Sequence, residues 1–549
     1  MCGVILRLGL TLDTCKDLLI ASLDARYSGH LLPGVQEKLQ ARGPTAIGWR
    51  QVGLPFVAQD LFAASLLQVR GAEPISSSSL PLADKAGSVL LFNGELFGGL
   101  NVAAGCNDGQ ALLHELCHSD DPAHMLSRLL GPWALVYWHA ASRRLWFGRD
   151  ALGRRSLLIQ RPSEQRRQLT LSSFALCTDP QAGWQELKPG VYSIAYARAS
   201  NLLDPGADSC LGDAASAAAA EQVFRALEHA VRTMCEQIDP LHWGRHMSDP
   251  ADVTALAAPV LILFSGGVDS TLLAALAHRV LPGHLPIDLA CVCFDGGQSP
   301  DRLAALDAVQ ELSAYAPSRL WRLVEVDATL ADVATLQPRL LGLLHPADTV
   351  MDINIGAALW LAARAEGRLC FAQERTRRHR GERSGGAWRS SAKVVLLGQG
   401  ADEQCAGYGR HRTKFREGGW EGLHREMALD VGRLWLRNLG RDDRIVSDHG
   451  REARHPFLDE ALLQLLLSLP LPLIADLTLA PGVGDKLVLR NLLRLLGLPR
   501  AAARVKRAIQ FGTRLGKLAN RRDFGSNRAA NISHAGSVKL AQLGLSGDS

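Results

Sequence analysis

At 549 residues the chain is several times the usual length of one domain, so two or more folded domains are expected. A hydrophobic share of 47% with 21% charged residues excludes disorder over most of that length. Sixty Lys and Arg against fifty-five Asp and Glu give a formal charge of +5, too small for a nucleic-acid surface spread over the chain. The eleven cysteines are scattered, and the only close pair, Cys291 and Cys293, sits in an apolar run, which predicts reduced, buried thiols and a cytoplasmic location. Met1-Cys2-Gly3-Val4-Ile5 lacks the basic-then-apolar pattern of a signal peptide. The most apolar stretch, Ala461 to Leu479, is interrupted by Gln464, Ser468, Pro470, Pro472 and Asp476, so no membrane segment is expected.

Residues 1 to about 195 hold short β-like runs, such as Ser88 to Phe92, Ala134 to Trp138 and Leu145 to Phe147, separated by Gly, Asn, Asp and Pro. Stacked antiparallel sheets with few helices are predicted, in a domain spanning 1–205. From Asp204 to Ala220 the composition turns to Ala, Asp, Gly and Ser, and 206–220 reads as a linker. Beyond it, apolar strands at Val260 to Phe264 and Ile287 to Phe294 alternate with helical patterns at Thr271 to Val280 and Leu303 to Leu312. That alternation predicts an α/β domain with a parallel sheet over 221–520. Glu374 to Arg389, with six arginines, reads as an exposed loop, and 521–549 reads as a flexible tail.

Cys2 becomes the first residue once the initiator methionine is removed, and it then carries its own base. The α-amino group has a pKa of about 8, so near neutral pH it can take the thiol proton and release a nucleophile for a carboxamide. Arg42-Gly43-Pro44, Phe92-Asn93-Gly94-Glu95-Leu96-Phe97, Asn107-Asp108-Gly109 and Gly148-Arg149-Asp150-Ala151-Leu152-Gly153-Arg154 follow in the order of class II glutamine amidotransferases, and this half resembles that family. The resemblance implies an N-terminal-nucleophile αββα sandwich in which Cys2 is catalytic, Asn93 and Gly94 form the oxyanion hole, Asp108 holds the amino group of glutamine and Glu95 belongs to the same glutamine-binding set. The arginine expected for the glutamine carboxylate is missing from Phe62 to Val69, leaving Arg70 as the nearest substitute.

Phe264-Ser265-Gly266-Gly267-Val268-Asp269-Ser270 follows an apolar strand and opens a helix. In that context glycines let backbone N–H groups approach phosphate oxygens, Ser265 and Ser270 can donate hydroxyls, and Asp269 can hold Mg²⁺. The run resembles the PP-motif of enzymes that split ATP between its α and β phosphates. With both halves considered, the chain resembles glutamine-hydrolysing asparagine synthetase over nearly its whole length, in a divergent branch. Gly398-Gln399-Gly400-Ala401-Asp402-Glu403, Arg454-His455-Pro456-Phe457-Leu458-Asp459 and Asp485-Lys486-Leu487-Val488-Leu489-Arg490 carry the match downstream. The resemblance implies ATP and Mg²⁺ as cofactors; Leu263, Ser265, Gly266, Gly267, Asp269, Ser270, Gly398 and Lys486 at ATP; and Asp269 and Asp402 at the metal. It implies glutamine, ATP and aspartate as ligands and asparagine as product, and it leaves room for a homodimer.

Two departures keep other readings open. Gln399 stands where the synthetases carry a catalytic glutamate, and glutamine neither accepts nor releases a proton near pH 7. Asp352 stands where they carry an arginine, reversing the local charge. The alternatives are a nucleotide-binding scaffold with weak or lost chemistry and a ligase that adenylates another carboxylate.

Overall fold

A computed structural model describes residues 3–9, 33–42, 44–54, 57–66, 79–103, 106–119, 121–142, 144–161, 168–175, 183–195, 215–238, 256–371 and 387–518. Cys2, Arg70, most of the arginine-rich segment and the tail lie outside the described residues.

The N-terminal half holds two antiparallel sheets. One has six strands in the spatial order Trp184–Glu186, Leu158–Gln160, Gln168–Ser172, Gly3–Gly9, Val57–Leu66, Ala46–Leu54. The other has five, in the order Gly190–Ala195, Arg144–Arg149, Trp133–His139, Val89–Gly94, Leu82–Ala83. Leu90, Leu91, Leu135, Val136, Leu157 and Leu171 fill one buried cluster, as the short apolar runs predict.

The C-terminal half is an α/β layer structure around seven strands, ordered Trp388–Arg389, Glu366–Phe371, Trp321–Asp327, Ile287–Cys293, Val260–Leu263, Val394–Leu396, Glu452–Arg454. The five strands from Trp321–Asp327 to Glu452–Arg454 pair in parallel, and the other two join antiparallel at one edge. Val260–Leu263 has its successor in sequence, Ile287–Cys293, on one side and the much later Val394–Leu396 on the other. Such a reversal of strand order opens a crevice at the carboxyl ends of the strands, where ligands of open α/β sheets bind.

Two segments differ from the sequence reading. Helix Ala215–Glu236 begins inside the expected linker and buries Ala220, Val223, Leu227, Val231 and Met234 against the core. Its first turns are alanine-rich, and alanine is a strong helix former, so small residues there signal a helix as readily as a linker. The arginine-rich segment ends in the edge strand Trp388–Arg389, which pairs with Gly367 and Glu366 while the Arg322 guanidinium lies over the Trp388 ring. Among the described residues no helix is long and apolar enough to cross a membrane.

The two halves are joined by buried ion pairs. Asp443 accepts from Arg42 at 3.1 Å, from Arg155 at 3.4 Å and from the Ser156 backbone at 2.9 Å. Arg155 also reaches Glu452 at 2.7 Å. Arg454 pairs with Glu95, Arg444 with Glu186, and Arg154 with Glu460.

Candidate active site

Strand Val260–Leu263 ends in Ser265-Gly266-Gly267 and turns into helix Val268–Val280. Gly266 has φ +68°, and a Cβ there would lie 2.4 Å from the backbone of Ala304 and Ala305, so only glycine fits. Gly267 caps the helix without a side chain, and its N–H donates to Ser265 Oγ at 3.3 Å. The buried Ser270 hydroxyl has no partner among the described residues. The loop thus presents a glycine turn, a helix N-terminus and an unsatisfied hydroxyl to one place, an arrangement suited to an anion.

Lys486 ties this loop to a second. Its ammonium lies 2.8 and 2.6 Å from the Asp269 carboxylate and 2.7 Å from Asp402 Oδ1. Lys486 adopts a left-handed backbone conformation, held by a 2.9 Å bond from its N–H to the Cys405 carbonyl. A Cβ on Gly407 would come within 2.0 Å of Asp402 Oδ1 and 2.4 Å of Lys486 Cε, so that glycine makes the crossing possible. Lys506 pairs with the other Asp402 oxygen. Burial alone would raise the Asp402 carboxyl, but Lys486 and then Lys506 hold it well below the ordinary carboxylate range. Burial opposes the Lys486 charge, and Asp269 and Asp402 outweigh it, so the ammonium stays protonated. Beside them Tyr408 donates its hydroxyl to Glu403 at 2.6 Å, and Glu403 is raised by burial and by Asp402.

These groups open onto a cavity of about 680 Å³ at the carboxyl ends of the parallel strands. Leu263, Ser265, Asp269, Ser270, Gly398 and Asp402, all singled out by the sequence, line it. Gly267 and Lys486 line a smaller adjoining recess of about 60 Å³ together with Arg504 and Lys506. Cys291 also faces the cavity, but burial pushes its thiol up to about 12, so it is no nucleophile at neutral pH.

The two departures are both engaged by new partners. The Gln399 amide donates to Asp442 Oδ2 at 2.8 Å, and Arg441 Nε holds Asp442 Oδ1 at 2.8 Å. Asp352 accepts from Arg441 Nη1 at 2.9 Å, so its charge is neutralised within the wall. No spacing rule points from Gln399 to a carboxylate forty-three residues on or from Asp402 to Lys506.

In the N-terminal half, Asn93 and Gly94 end strand Val89–Gly94. The Asn93 amide nitrogen is buried without a partner among the described residues. A Cβ on Gly94 would meet the Pro132 carbonyl oxygen at 2.3 Å, so the chain passes there only as glycine. Asp108 opens helix Asp108–His118 and accepts the Leu96 N–H at 2.7 Å. Glu95, expected at glutamine, pairs with Arg454 of the other half. Burial raises its carboxyl well above the usual range despite Arg454.

The fold and the paired loops define the class: this is a protein of the asparagine synthase type. A family model described as asparagine synthase matches residues 254–334 and 414–531. The chain belongs to the family of asparagine synthetase domain-containing proteins. It is 34% identical to asparagine synthetase domain-containing protein 1 of Mus musculus over 92% of this chain and 97% of that protein. The Homo sapiens protein of the same name is 33% identical over 86% of this chain and 90% of its own length. A putative glutamine-hydrolysing asparagine synthetase of Methanocaldococcus jannaschii is 31% identical over 38% of this chain and 32% of its own length.

Proposed function

We propose that the chain is an ATP-dependent carbon–nitrogen ligase that adenylates a carboxylic acid in its C-terminal half and takes ammonia from glutamine in its N-terminal half. The observation that carries this reading is the meeting of the glycine loop, Asp269, Lys486 and Asp402 where the cavity joins its smaller recess. An acceptor carboxylate oxygen attacks the α-phosphorus of ATP, and the bond to the β-phosphate oxygen breaks. Pyrophosphate departs beside Lys486, whose charge offsets the negative charge growing on it. Ammonia then attacks the acyl carbon, AMP leaves with the bridging oxygen, and a proton is lost from nitrogen.

Mg²⁺ fits the donor set. Asp269 and Asp402 supply two hard carboxylates that converge on the Lys486 ammonium at the edge of the cavity, and Mg²⁺ is bound by one or two carboxylates plus substrate phosphates. Among the described residues no cluster of three acidic, His or Cys side chains would hold a metal unaided, so binding together with ATP is expected. Mg²⁺ there would draw charge from the phosphates, and Asp269 and Asp402 would hold it.

For the glutaminase half, the orphaned Asn93 amide and the close approach at Gly94 support an oxyanion hole fed by Cys2. Aspartate as acceptor, asparagine as product, a homodimer and a cytoplasmic site of action follow from the family reading. A second reading, a nucleotide-binding scaffold with weak synthetase chemistry, is favoured by one observation: Gln399 is locked onto Asp442 and offers no base. ATP–pyrophosphate exchange with aspartate and other carboxylic acids separates them. Acid-dependent exchange abolished by Asp402→Asn is the result expected of a ligase; tight Mg-ATP binding without exchange for any acid belongs to the scaffold.

A further inference from the structure

One buried arginine reaches the backbone behind both candidate sites. Arg154 lies in the loop that follows strand Arg144–Arg149 of the N-terminal half, and its Nε donates to Asp150 in the same loop at 3.0 Å. The two terminal nitrogens then part. Nη2 donates to the Gly131 carbonyl at 2.8 Å and pairs with Glu460, while Nη1 donates to the Leu458 carbonyl at 2.7 Å. A planar fork fixed at its base can hold both carbonyls at once, which a lysine cannot do.

Each carbonyl belongs to a residue that backs a site. Gly131 has φ +118°, and a Cβ there would lie 2.4 Å from the Glu95 carbonyl oxygen, so Gly131 is packed on the residue that follows Asn93-Gly94. Asp150 also accepts the Trp133 N–H at 3.2 Å, and Trp133 is the strand partner of Gly94. On the other side Leu458 is fully buried, and a Cβ on Gly400 would lie 2.3 Å from its Cδ2. Leu458 is therefore the surface on which Gly400 turns, at φ +96°, between Gln399 and the short helix Ala401–Gln404 that carries Asp402. The loop around Arg154 holds this region by two further contacts. Leu152 packs against Leu434, Leu439 and Leu458, and a Cβ on Gly153 would lie 2.8 Å from Trp435 Cβ in the π-helical turn Trp435–Leu439. We propose that Arg154 is a positioning residue supplied by the N-terminal half to the adenylation site: by holding Leu458 against Gly400 it seats the loop bearing Gln399 and Asp402, with the same guanidinium that backs the Asn93–Gly94 turn. The consequence for nucleotide rests on the ligase reading; the seating of the loop does not.

Hydrogen–deuterium exchange of the full chain over residues 398–408, beside titration with Mg²⁺ and a non-hydrolysable ATP analogue, tests it in Arg154→Gln, Arg154→Lys and Glu460→Gln. Glu460→Gln removes an ion pair of the same arginine but leaves its bonds to Leu458 and Gly131, so it reports a loss of stability without a loss of seating. Arg154→Gln should speed exchange over 398–408 at least tenfold and weaken the analogue at least tenfold. Arg154→Lys, which keeps the charge and loses the fork, should show a smaller change in the same direction, and it decides the matter if the Gln variant does not fold. Glu460→Gln should leave both readings within twofold of the unaltered chain. Unaltered exchange in a folded Arg154 variant, or an equal rise in the Arg154 and Glu460 variants, overturns the assignment. Pyrophosphate exchange in the same samples keeps the two claims apart: faster loop exchange in the Arg154 variants, with no acid-dependent pyrophosphate exchange by the unaltered chain, supports the role of Arg154 and sinks the ligase reading.

Discussion

Gln399 and Asp442 show how one substitution is held in place by another. A glutamate at 399 would face the Asp442 carboxylate across the 2.8 Å now spanned by the amide, and two carboxylates so close share a proton rather than both ionising. Gln399→Glu alone should therefore lower amide formation, because a protonated or displaced glutamate is no base. Adding Asp442→Asn supplies an amide donor in the aspartate's place, and the double variant should exceed Gln399→Glu by about 100-fold, the lower range for a general base. Amide formation from free ammonium, measured beside Mg-ATP affinity, checks this; a double variant no faster than the single one contradicts the pairing. The phosphate-loop residues were legible in sequence because phosphate chemistry demands consecutive residues. The pairing of Gln399 with Asp442 and of Asp402 with Lys506 was not, because side-chain pairing between distant segments leaves no periodic trace.

The strand–loop–helix element from Val260 to Val280 makes a sharper demand on one glycine than on its neighbour. A methyl on Gly266 would enter the backbone of helix Pro300–Tyr315 and strain a positive φ, whereas the nearest neighbour of a methyl on Gly267 is the Ser265 hydroxyl at 3.3 Å. Gly266→Ala should destabilise the chain by roughly 1–3 kcal/mol or more and abolish Mg-ATP binding. Gly267→Ala should fold with near-normal stability and lose only part of its nucleotide affinity. Urea unfolding and nucleotide titration of the two variants distinguish them, and equal effects would mean that the loop is not seated against Ala304 as described. Element type was readable here from the apolar run and its helical successor. It was misread at Ala215–Ala220 because alanine and serine serve linkers and helix starts alike, and only packing against the core decides between them. The π-helical turn at Trp435–Leu439 has no composition signal of its own.

For the whole molecule, the buried ion pairs between the halves set both stability and pH response. Asp443 serves Arg42, Arg155 and the Ser156 N–H together, so Asp443→Ala leaves buried charge uncompensated and should cost about 3–5 kcal/mol. An unchanged urea midpoint would show that the junction contributes nothing. His455 lies in the same junction, 1% exposed, and burial followed by Arg155 and Arg154 lowers its pKa to about 3. A histidine so depressed stays neutral when folded and charges when unfolded, so its stabilising share is complete above about 6.5 and is lost as pH falls toward 3. His455→Leu should flatten the decline in stability between pH 7.5 and 5.5 by about 1.4 kcal/mol, and parallel curves for the two proteins would contradict it. The layered α/β half and the antiparallel N-terminal sheets were both legible from apolar periodicity. The junction was not, since arginines such as Arg155 and Arg444 read in sequence as surface charge and are here enclosed by carboxylates from the opposite half.

The central claim is that the chain joins a carboxylic acid to AMP. Incubation with ATP, Mg²⁺, ammonium and L-aspartate or succinate labelled with ¹⁸O in its carboxyl groups, followed by mass spectrometry of the AMP, tests the bond itself. Attack of the carboxylate on the α-phosphorus predicts one ¹⁸O in each AMP released, with none in pyrophosphate and no transfer in Asp402→Asn. AMP formed at the same rate without label, or ADP and phosphate as the products, would contradict adenylation.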